Sequence, residues 1–143
     1  MKENWLNRNY KWSVPLVSLI IVIIYLFASS GFGKISSDLA QAYADKELYQ
    51  TAIDKANKDL RVIETIGKIQ PIDKMTILNG EVNYSKDNKS VTSTIKVLGD
   101  KGKAKLDLIA HRNAKKWKYE QLNIRVINPT KSTQTIEVIK SEK

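Results

Sequence analysis

The fold is decided by residues 91–110, which read VTSTIKVLGDKGKAKLDLIA. On either side of the central turn, every second residue is apolar or small and most of the residues between are polar. Such an alternation is typical of a β-strand that buries one face. Gly99-Asp100-Lys101-Gly102 is a turn sequence, because Gly and Asp favour the backbone angles of tight turns. The stretch predicts an antiparallel hairpin. Its buried face carries Val91, Ser93, Ile95 and Val97 on one strand and Ala104, Leu106, Leu108 and Ala110 on the other.

The same alternation continues before and after this hairpin. An earlier strand is predicted at residues 78–84, followed by a polar turn at residues 86–89. Towards the end of the chain, Asn128-Pro129 interrupts the pattern. Beyond it, Ile136 and Val138 form either a last edge strand or part of a loose tail.

One strand changes phase along its length. Trp117 and Tyr119 begin it on one face, and the apolar residues from Leu122 onward continue in the opposite phase. An extra residue in one strand produces this shift, so a β-bulge is predicted near Glu120-Gln121. Together the strands predict an antiparallel meander of four or five strands.

Residues 38–67 have helical periodicity instead. Ser36 and Ser37 are predicted N-caps, and Asp45 is predicted to restart the helix as a further N-cap. Asp59 is the next predicted cap, and Gly67 is the predicted helix end. Because the apolar helix faces need a partner, we expect two helices packed on one face of the meander, an α+β domain.

A long apolar segment precedes this domain. Residues 14–27 read VPLVSLIIVIIYLF, within an uncharged window of 22 residues from Trp12 to Gly33. As a helix the window would be about 33 Å long, close to the hydrocarbon thickness of a bilayer. Aromatic rings at Trp5, Tyr10 and Trp12 suit the headgroup level before it. Residues 14–33 are therefore a predicted transmembrane helix.

Charge predicts the orientation of this helix. Lys2, Arg8 and Lys11 precede it, so residues 1–13 should stay in the cytoplasm and residues 34–128 form an extracytoplasmic domain. Residues 129–143 are the edge strand or loose tail. The alternative is a cleaved secretory signal, since Ala28 and Ser30 have the small-x-small spacing of a cleavage site. The length of the apolar run favours an uncleaved anchor.

Composition excludes several kinds of site. The chain has no cysteine and one histidine, His111. Disulfides, thiolate zinc or copper sites and multi-histidine metal sites within one chain are therefore excluded. We expect no metal site and no cofactor.

No catalytic pattern stands out, and we expect a protein that is not an enzyme. The chain lacks a nucleophile elbow, a phosphate-binding loop and a zinc-protease motif. Three carboxylates at helical spacing are general-acid candidates, but basic residues beside them indicate a solvated helix face. His111, beside Arg112, is interpreted as an ordinary surface histidine. The three carboxylates are Asp54, Asp59 and Glu64.

The whole chain has a formal net charge of +9, and its most basic part is a second predicted hairpin at residues 101–118. Its single acid is Asp107. Such a surface suits anionic lipid or an acidic partner, and the alternative is that these lysines only keep an edge soluble. Nucleic acid is not an expected partner of a domain outside the cytoplasm. The candidate interaction residues are Lys103, Lys105, Arg112, Lys115, Lys116 and Lys118.

Several short motifs occur in a recognisable order. They are R-N-x-K-W at residues 8–12, a helix with Tyr49, Ala52 and Ala56, V-I-E-T-I-G at residues 62–67, Gly80, G-D-K-G at residues 99–102, and K-W-K at residues 116–118 leading to Leu122. In this order and spacing the chain resembles the bacterial branch of the cytochrome oxidase complex assembly protein 1 family over nearly its whole length.

The resemblance implies a non-enzymatic, single-span protein of the bacterial inner membrane. Mitochondrial members assist cytochrome c oxidase assembly, and the family's fold is similar to that of a mitochondrial inner-membrane translocase subunit. No catalytic residues carry over. The expected function is an assembly or scaffold factor for a respiratory oxidase, whose partners are the membrane and another membrane-complex protein. The alternative is a periplasmic lipid- or ligand-contact module that uses the basic hairpin.

Overall fold

The computed structural model describes residues 9–128 and 134–140. Within it the chain divides into two compact units, one ending at Ser36 and one beginning at Ser37. The predictions that concern Lys2, Trp5 and Arg8, and those for residues 129–133 and 141–143, lie outside the described residues.

The first unit contains helix α1, Tyr10–Ser29, whose 20 residues span about 30 Å. It has no buried side chains. In the described part of the chain, α1 is the one helix long and apolar enough to cross a membrane. Gly31 follows it with a φ of +72°, a left-handed conformation that glycine adopts without steric cost.

Four helices follow α1, where the sequence predicted two: α2 (Phe32–Ala44), α3 (Lys46–Ala56), α4 (Leu60–Ile66) and α5 (Lys74–Leu78). The predicted capping by Ser36 and Ser37 is wrong, because α2 already begins at Phe32 and the Ser36 hydroxyl donates to the Phe32 carbonyl at 2.8 Å. The chain breaks at Asp45 as predicted, but its carboxylate makes no capping bond to α3.

The end signals of α4 are confirmed. The Asp59 carboxylate accepts a hydrogen bond from the backbone N–H of Arg61 at 3.0 Å, and α4 ends at Gly67, where φ is +77°. The turn at Gly99 then packs so closely on α4 that a Cβ at Gly99 would lie 2.1 Å from the Ile66 carbonyl oxygen. This contact fixes the tip of the predicted hairpin against a helix end.

Helix α5 was missed by the sequence analysis. The alternation at Leu78 predicted a strand, whereas Leu78 is the last residue of a short helix. The Asp73 side chain caps this helix by accepting from the backbone N–H of Thr76 at 2.9 Å. A local capping bond therefore outweighed an apolar alternation only a few residues long.

The predicted meander is confirmed as a five-stranded antiparallel sheet in the order β1-β2-β3-β4-β5. The strands are β1 (Glu81–Tyr84), β2 (Ser90–Leu98), β3 (Lys103–Asn113), β4 (Lys116–Asn128) and β5 (Thr135–Ile139). The bulge is also confirmed. Tyr119 pairs with Ala110 and Gln121 pairs with Ile109, which leaves Glu120 as the extra residue.

The core lies on one face of this sheet. All the inward positions predicted for the central hairpin are buried, from Val91 on β2 to Ala110 on β3. Helix α3 contributes Tyr49, whose hydroxyl lies 3.1 Å from the buried Ser93 hydroxyl. Burial raises the pKa of the Tyr49 phenol, so the hydroxyl stays neutral inside the core. The α+β class predicted from the sequence is thereby confirmed.

Candidate functional site

The structure places the six candidate cations in three separate environments. Lys103 and Lys105 lie at the start of β3, and Lys115, Lys116 and Lys118 lie beyond or opposite its end, at the turn into β4. The length of β3 separates the two groups by roughly 30 Å. Arg112 belongs to neither group, because its side chain points to the helices.

Lys105 lies in a row of cations that the sequence analysis did not identify. It is opposite Lys96 on β2 and Arg125 on β4, on the face of the sheet away from the core. Like charges directly opposite one another repel, so this row does not itself stabilise the sheet. It needs stabilising contacts with side chains outside the row. The row could be identified only from the pairing of the three strands, because the sequence of one strand does not show which residues of its neighbours lie opposite.

Asp107 offsets part of this row. Its carboxylate accepts hydrogen bonds from the Arg125 guanidinium (2.7 Å from Nη2) and from the Thr94 hydroxyl at 2.6 Å. Partial burial raises the pKa of the Asp107 carboxyl, but the bonds from Arg125 and Thr94 lower it by more, so its net pKa lies below the ordinary value. Arg125 is thereby occupied inside the domain.

Arg112 is occupied by a cluster between the helices and the sheet. Its guanidinium nitrogen Nη2 lies 2.5 Å from the Asp45 carboxylate. The guanidinium stacks over the Trp117 ring, with 4.4 Å from its carbon Cζ to the ring centroid. The Tyr84 hydroxyl donates to the same carboxylate at 3.0 Å, and Gln41 donates at 2.9 Å. This cluster explains why Asp45 does not cap α3: its oxygens are already bound.

Five lysines meet at one end of the sheet. The β1–β2 and β3–β4 turns are neighbours there, since Ser90 pairs with His111, and the Arg112 backbone N–H donates to the Lys89 carbonyl at 2.6 Å. All five side chains are exposed. We call this group the lysine end. It consists of Lys86, Lys89, Lys115, Lys116 and Lys118.

His111 is more than an isolated surface histidine. Its Nδ1 lies 2.8 Å from the Ser90 hydroxyl, and its Nε2 is hydrogen-bonded to the Glu120 carboxylate. Glu120 reaches the histidine because it is the bulged residue of β4. The sequence predicted the bulge but gave no signal that it would aim a carboxylate at His111.

This serine, histidine and carboxylate have the residue types of a hydrolytic triad, yet the arrangement does not favour catalysis. The cleft beside them, of about 490 Å³, is lined by His111 and Glu120 but not by Ser90. The Ser90 backbone N–H is already bound by the Ser85 hydroxyl at 3.0 Å, so it is not free to stabilise an oxyanion. The contacts are those of a cross-strand hydrogen-bond network.

The helix carboxylates considered as general acids lie elsewhere. Asp59 accepts from the Arg61 guanidinium, and this hydrogen bond is the main cause that lowers the pKa of its carboxyl below the ordinary value. A general acid needs a raised pKa near neutrality, so the shift has the wrong sign. Asp54 is exposed on α3, where Gln50 donates to it at 3.1 Å.

A smaller cleft, of about 220 Å³, lies between α3 and the β3–β4 turn. It is lined in part by Glu47, Thr51, Lys115, Lys116 and Trp117. Glu47 therefore shares a cleft with two residues of the lysine end, and among the described residues it forms no ion pair. Across residues 9–128 and 134–140, no three histidine or acidic side chains converge to hold a metal ion.

Comparison with known proteins identifies a family. A sequence model of the family described as cytochrome oxidase complex assembly protein 1 matches residues 17–140, which include most of α1 and all five strands. No curated protein and no solved structure matches the chain.

Proposed function

The chain belongs to the cytochrome oxidase complex assembly protein 1 family, and we propose that it is a non-catalytic assembly factor that docks on subunits of a respiratory oxidase. The observation that carries this proposal is the family match over residues 17–140. The match includes both the apolar helix and the α+β domain, so it supports a role for the two together. The hydrogen bonds of His111 are those of a cross-strand network, and the pKa of Asp59 is lowered, opposite to the shift that a general acid needs, which agrees with a docking role.

The proposed location is the inner membrane of a bacterium. Helix α1 crosses it once, with residues 1–13 in the cytoplasm and the α+β domain on the outer side. The length and apolar surface of α1 support a single span. The basic residues Lys2, Arg8 and Lys11 support the direction, because cytoplasmic flanks are enriched in Lys and Arg.

The proposed docking function is tested by crosslinking in intact cells. Photo-reactive residues are placed at exposed positions of the full chain, and the attached proteins are identified after purification in detergent. Recovery of oxidase subunits is the expected result. Clean recovery of the chain without any of them would overturn the proposal.

A second experiment tests the consequence for the oxidase. Deletion of the gene should lower the amount of assembled oxidase on native gels while its subunits are still synthesised. Re-expression of the full chain should restore assembly, and the same chain carrying Leu48→Asp in the core of α3 is the matched negative control. An unchanged level of assembled oxidase after deletion would contradict the proposal.

A further inference from the structure

The lysine end of the sheet is also the end at which the chain enters the domain. Asp38, the second residue of the domain, accepts from the Tyr84 backbone N–H at 3.4 Å, at the last residue of β1. Asp45 binds Arg112 next to the β3–β4 turn. The entry segment and the lysine-bearing turns are therefore at the same end of the five strands.

The chain that connects the apolar helix to this end is short. Asp38 follows Ser29, the last residue of α1, by nine positions. Nine residues span at most about 30 Å when fully extended. A domain tethered this closely to a bilayer meets its headgroups at a high effective concentration.

Three carboxylates at this end are bound to other groups, and Glu47, which lines a cleft with Lys115 and Lys116, forms no ion pair with them. Asp87 accepts from the Ser85 hydroxyl at 2.5 Å and from the Lys89 backbone N–H at 3.1 Å. Glu120 is bound to His111, and Asp45 to Arg112. Among the described residues, none of the five lysines of the lysine end forms an ion pair. Their charge is available to an anion from outside the domain.

We infer that the lysine end docks the domain on the anionic phosphate headgroups of the membrane that α1 spans. This inference rests on the proposed membrane anchorage. Juxtamembrane lysines are attracted to anionic headgroups, each lowering the free energy of contact, and their flexible stems adapt to mobile phosphates. A protein partner is less favoured by the composition, because the cores of protein interfaces are depleted in lysine.

The experiment uses the full chain, reconstituted into vesicles of phosphatidylcholine with or without phosphatidylglycerol. The chain has no cysteine, so a single Asn113→Cys change carries one fluorophore to the turn between β3 and β4. Leu98→Cys, at the opposite end of the sheet, is the matched position. Lipids with a spin-labelled headgroup quench a fluorophore that touches the bilayer surface.

Quenching at position 113 that requires phosphatidylglycerol, decreases with salt and exceeds that at position 98 is the expected result. Lys115→Glu with Lys116→Glu should decrease the contacting fraction by at least roughly five-fold per lysine removed. Lys101→Glu with Lys103→Glu makes the same charge change at the other end and should leave quenching unchanged. If the first pair fails to fold, the salt titration of the parent chain decides.

Two outcomes overturn the inference separately from the proposed anchorage. Equal quenching at positions 113 and 98 in every lipid, with the chain still floating with the vesicles, rejects docking and leaves the anchorage intact. Quenching that appears only in native membranes and never in phosphatidylglycerol vesicles assigns the lysine end to a protein partner. A chain that does not float with any vesicle overturns the anchorage, and the docking inference with it.

Discussion

Arg112 is the residue at which the helices and three strands are joined. Its guanidinium binds Asp45 between α2 and α3 and stacks on Trp117 of β4. The Tyr84 hydroxyl of β1 donates to the same Asp45 carboxylate. Only 12% of the Asp45 side chain is exposed, so its charge depends on these partners for solvation. Arg112, which the sequence analysis selected as an interaction candidate, therefore stabilises the domain through these internal contacts.

Arg112→Ala should lower the free energy of unfolding by about 1–3 kcal/mol, because it leaves a largely buried carboxylate unpaired. Unfolding of the full chain in detergent is followed by the fluorescence of Trp117 in a Trp5→Phe, Trp12→Phe background. Adding Asp45→Asn should restore part of the loss. If the two changes simply add, the coupling between these residues is absent.

Ala114 is a second residue whose conformation was not evident from its type. It lies in the turn from β3 to β4 with a φ of +57°, where a Cβ is disfavoured. Ala114→Gly should therefore raise the free energy of unfolding by about 0.5–1 kcal/mol. The matched control is Ala40→Gly on the exposed face of α2, which should lower it by about 1 kcal/mol. A loss of stability in both variants would refute this account of the turn.

At the scale of elements, the sheet carries a polar row that links its strands through side chains. The Asp107 carboxylate on β3 accepts hydrogen bonds from Thr94 on β2 and from Arg125 on β4. Thr94 lies directly opposite Asp107 in the strand pairing. The bulge in β4 acts similarly at the other end, where it brings Glu120 to His111. These cross-strand bonds fix the register on the face that has no apolar core.

Asp107 gives the sheet a dependence on acid. Its pKa is lowered in the folded domain, so its contribution to stability is complete above the ordinary carboxyl pKa of about 3.9 and is lost as the pH falls through the folded value. Unfolding measured from pH 7 to pH 3 should show a decline below about pH 4. Asp107→Asn should lower stability at pH 7 and flatten that decline. An unchanged slope in this variant would assign the acid sensitivity to other carboxylates.

At the scale of the whole molecule, an apolar helix and a basic α+β domain share one chain of the assembly-factor family. The two proposals concern different contacts of the protein. Oxidase subunits are the proposed partners of the protein, and anionic headgroups are the proposed contact of its lysine end. Lys96 and Lys105 lie towards the far end of the sheet, so they stay accessible when the lysine end is bound, whereas Arg125 is paired with Asp107.

The proposed topology predicts a labelling pattern in intact cells. With no native cysteine, Asn113→Cys should react with a maleimide that does not cross the inner membrane, and Asn4→Cys near the N-terminus should react only after lysis. Mass measurement of the purified protein should give the full 16.3 kDa of the uncleaved chain. A mass that lacks residues 1–30 would favour the cleaved secretory signal at Ala28 and Ser30 instead.

Local sequence patterns were enough to predict the α+β class, the central strands with their buried faces, and the ends of α4, although they missed the short helix α5. Alternation with a period of two predicted the strands at residues 91–110, and the phase change before Leu122 predicted the bulge. Asp59 and Gly67 marked the ends of α4. These features are local, because hydrophobic period and capping depend on residues within one or two turns of each other.

Which charges lie close together depends on strand pairing and helix packing. The tertiary structure split the five candidate lysines between two ends of the sheet and brought Lys86 and Lys89 next to Lys115, Lys116 and Lys118. It also paired the half-buried Arg112 with Asp45, 67 positions away. The physical reason is that an ion pair or a like-charge cluster depends on strand register and helix packing over long sequence separations. The spacing of charges along one strand contains neither.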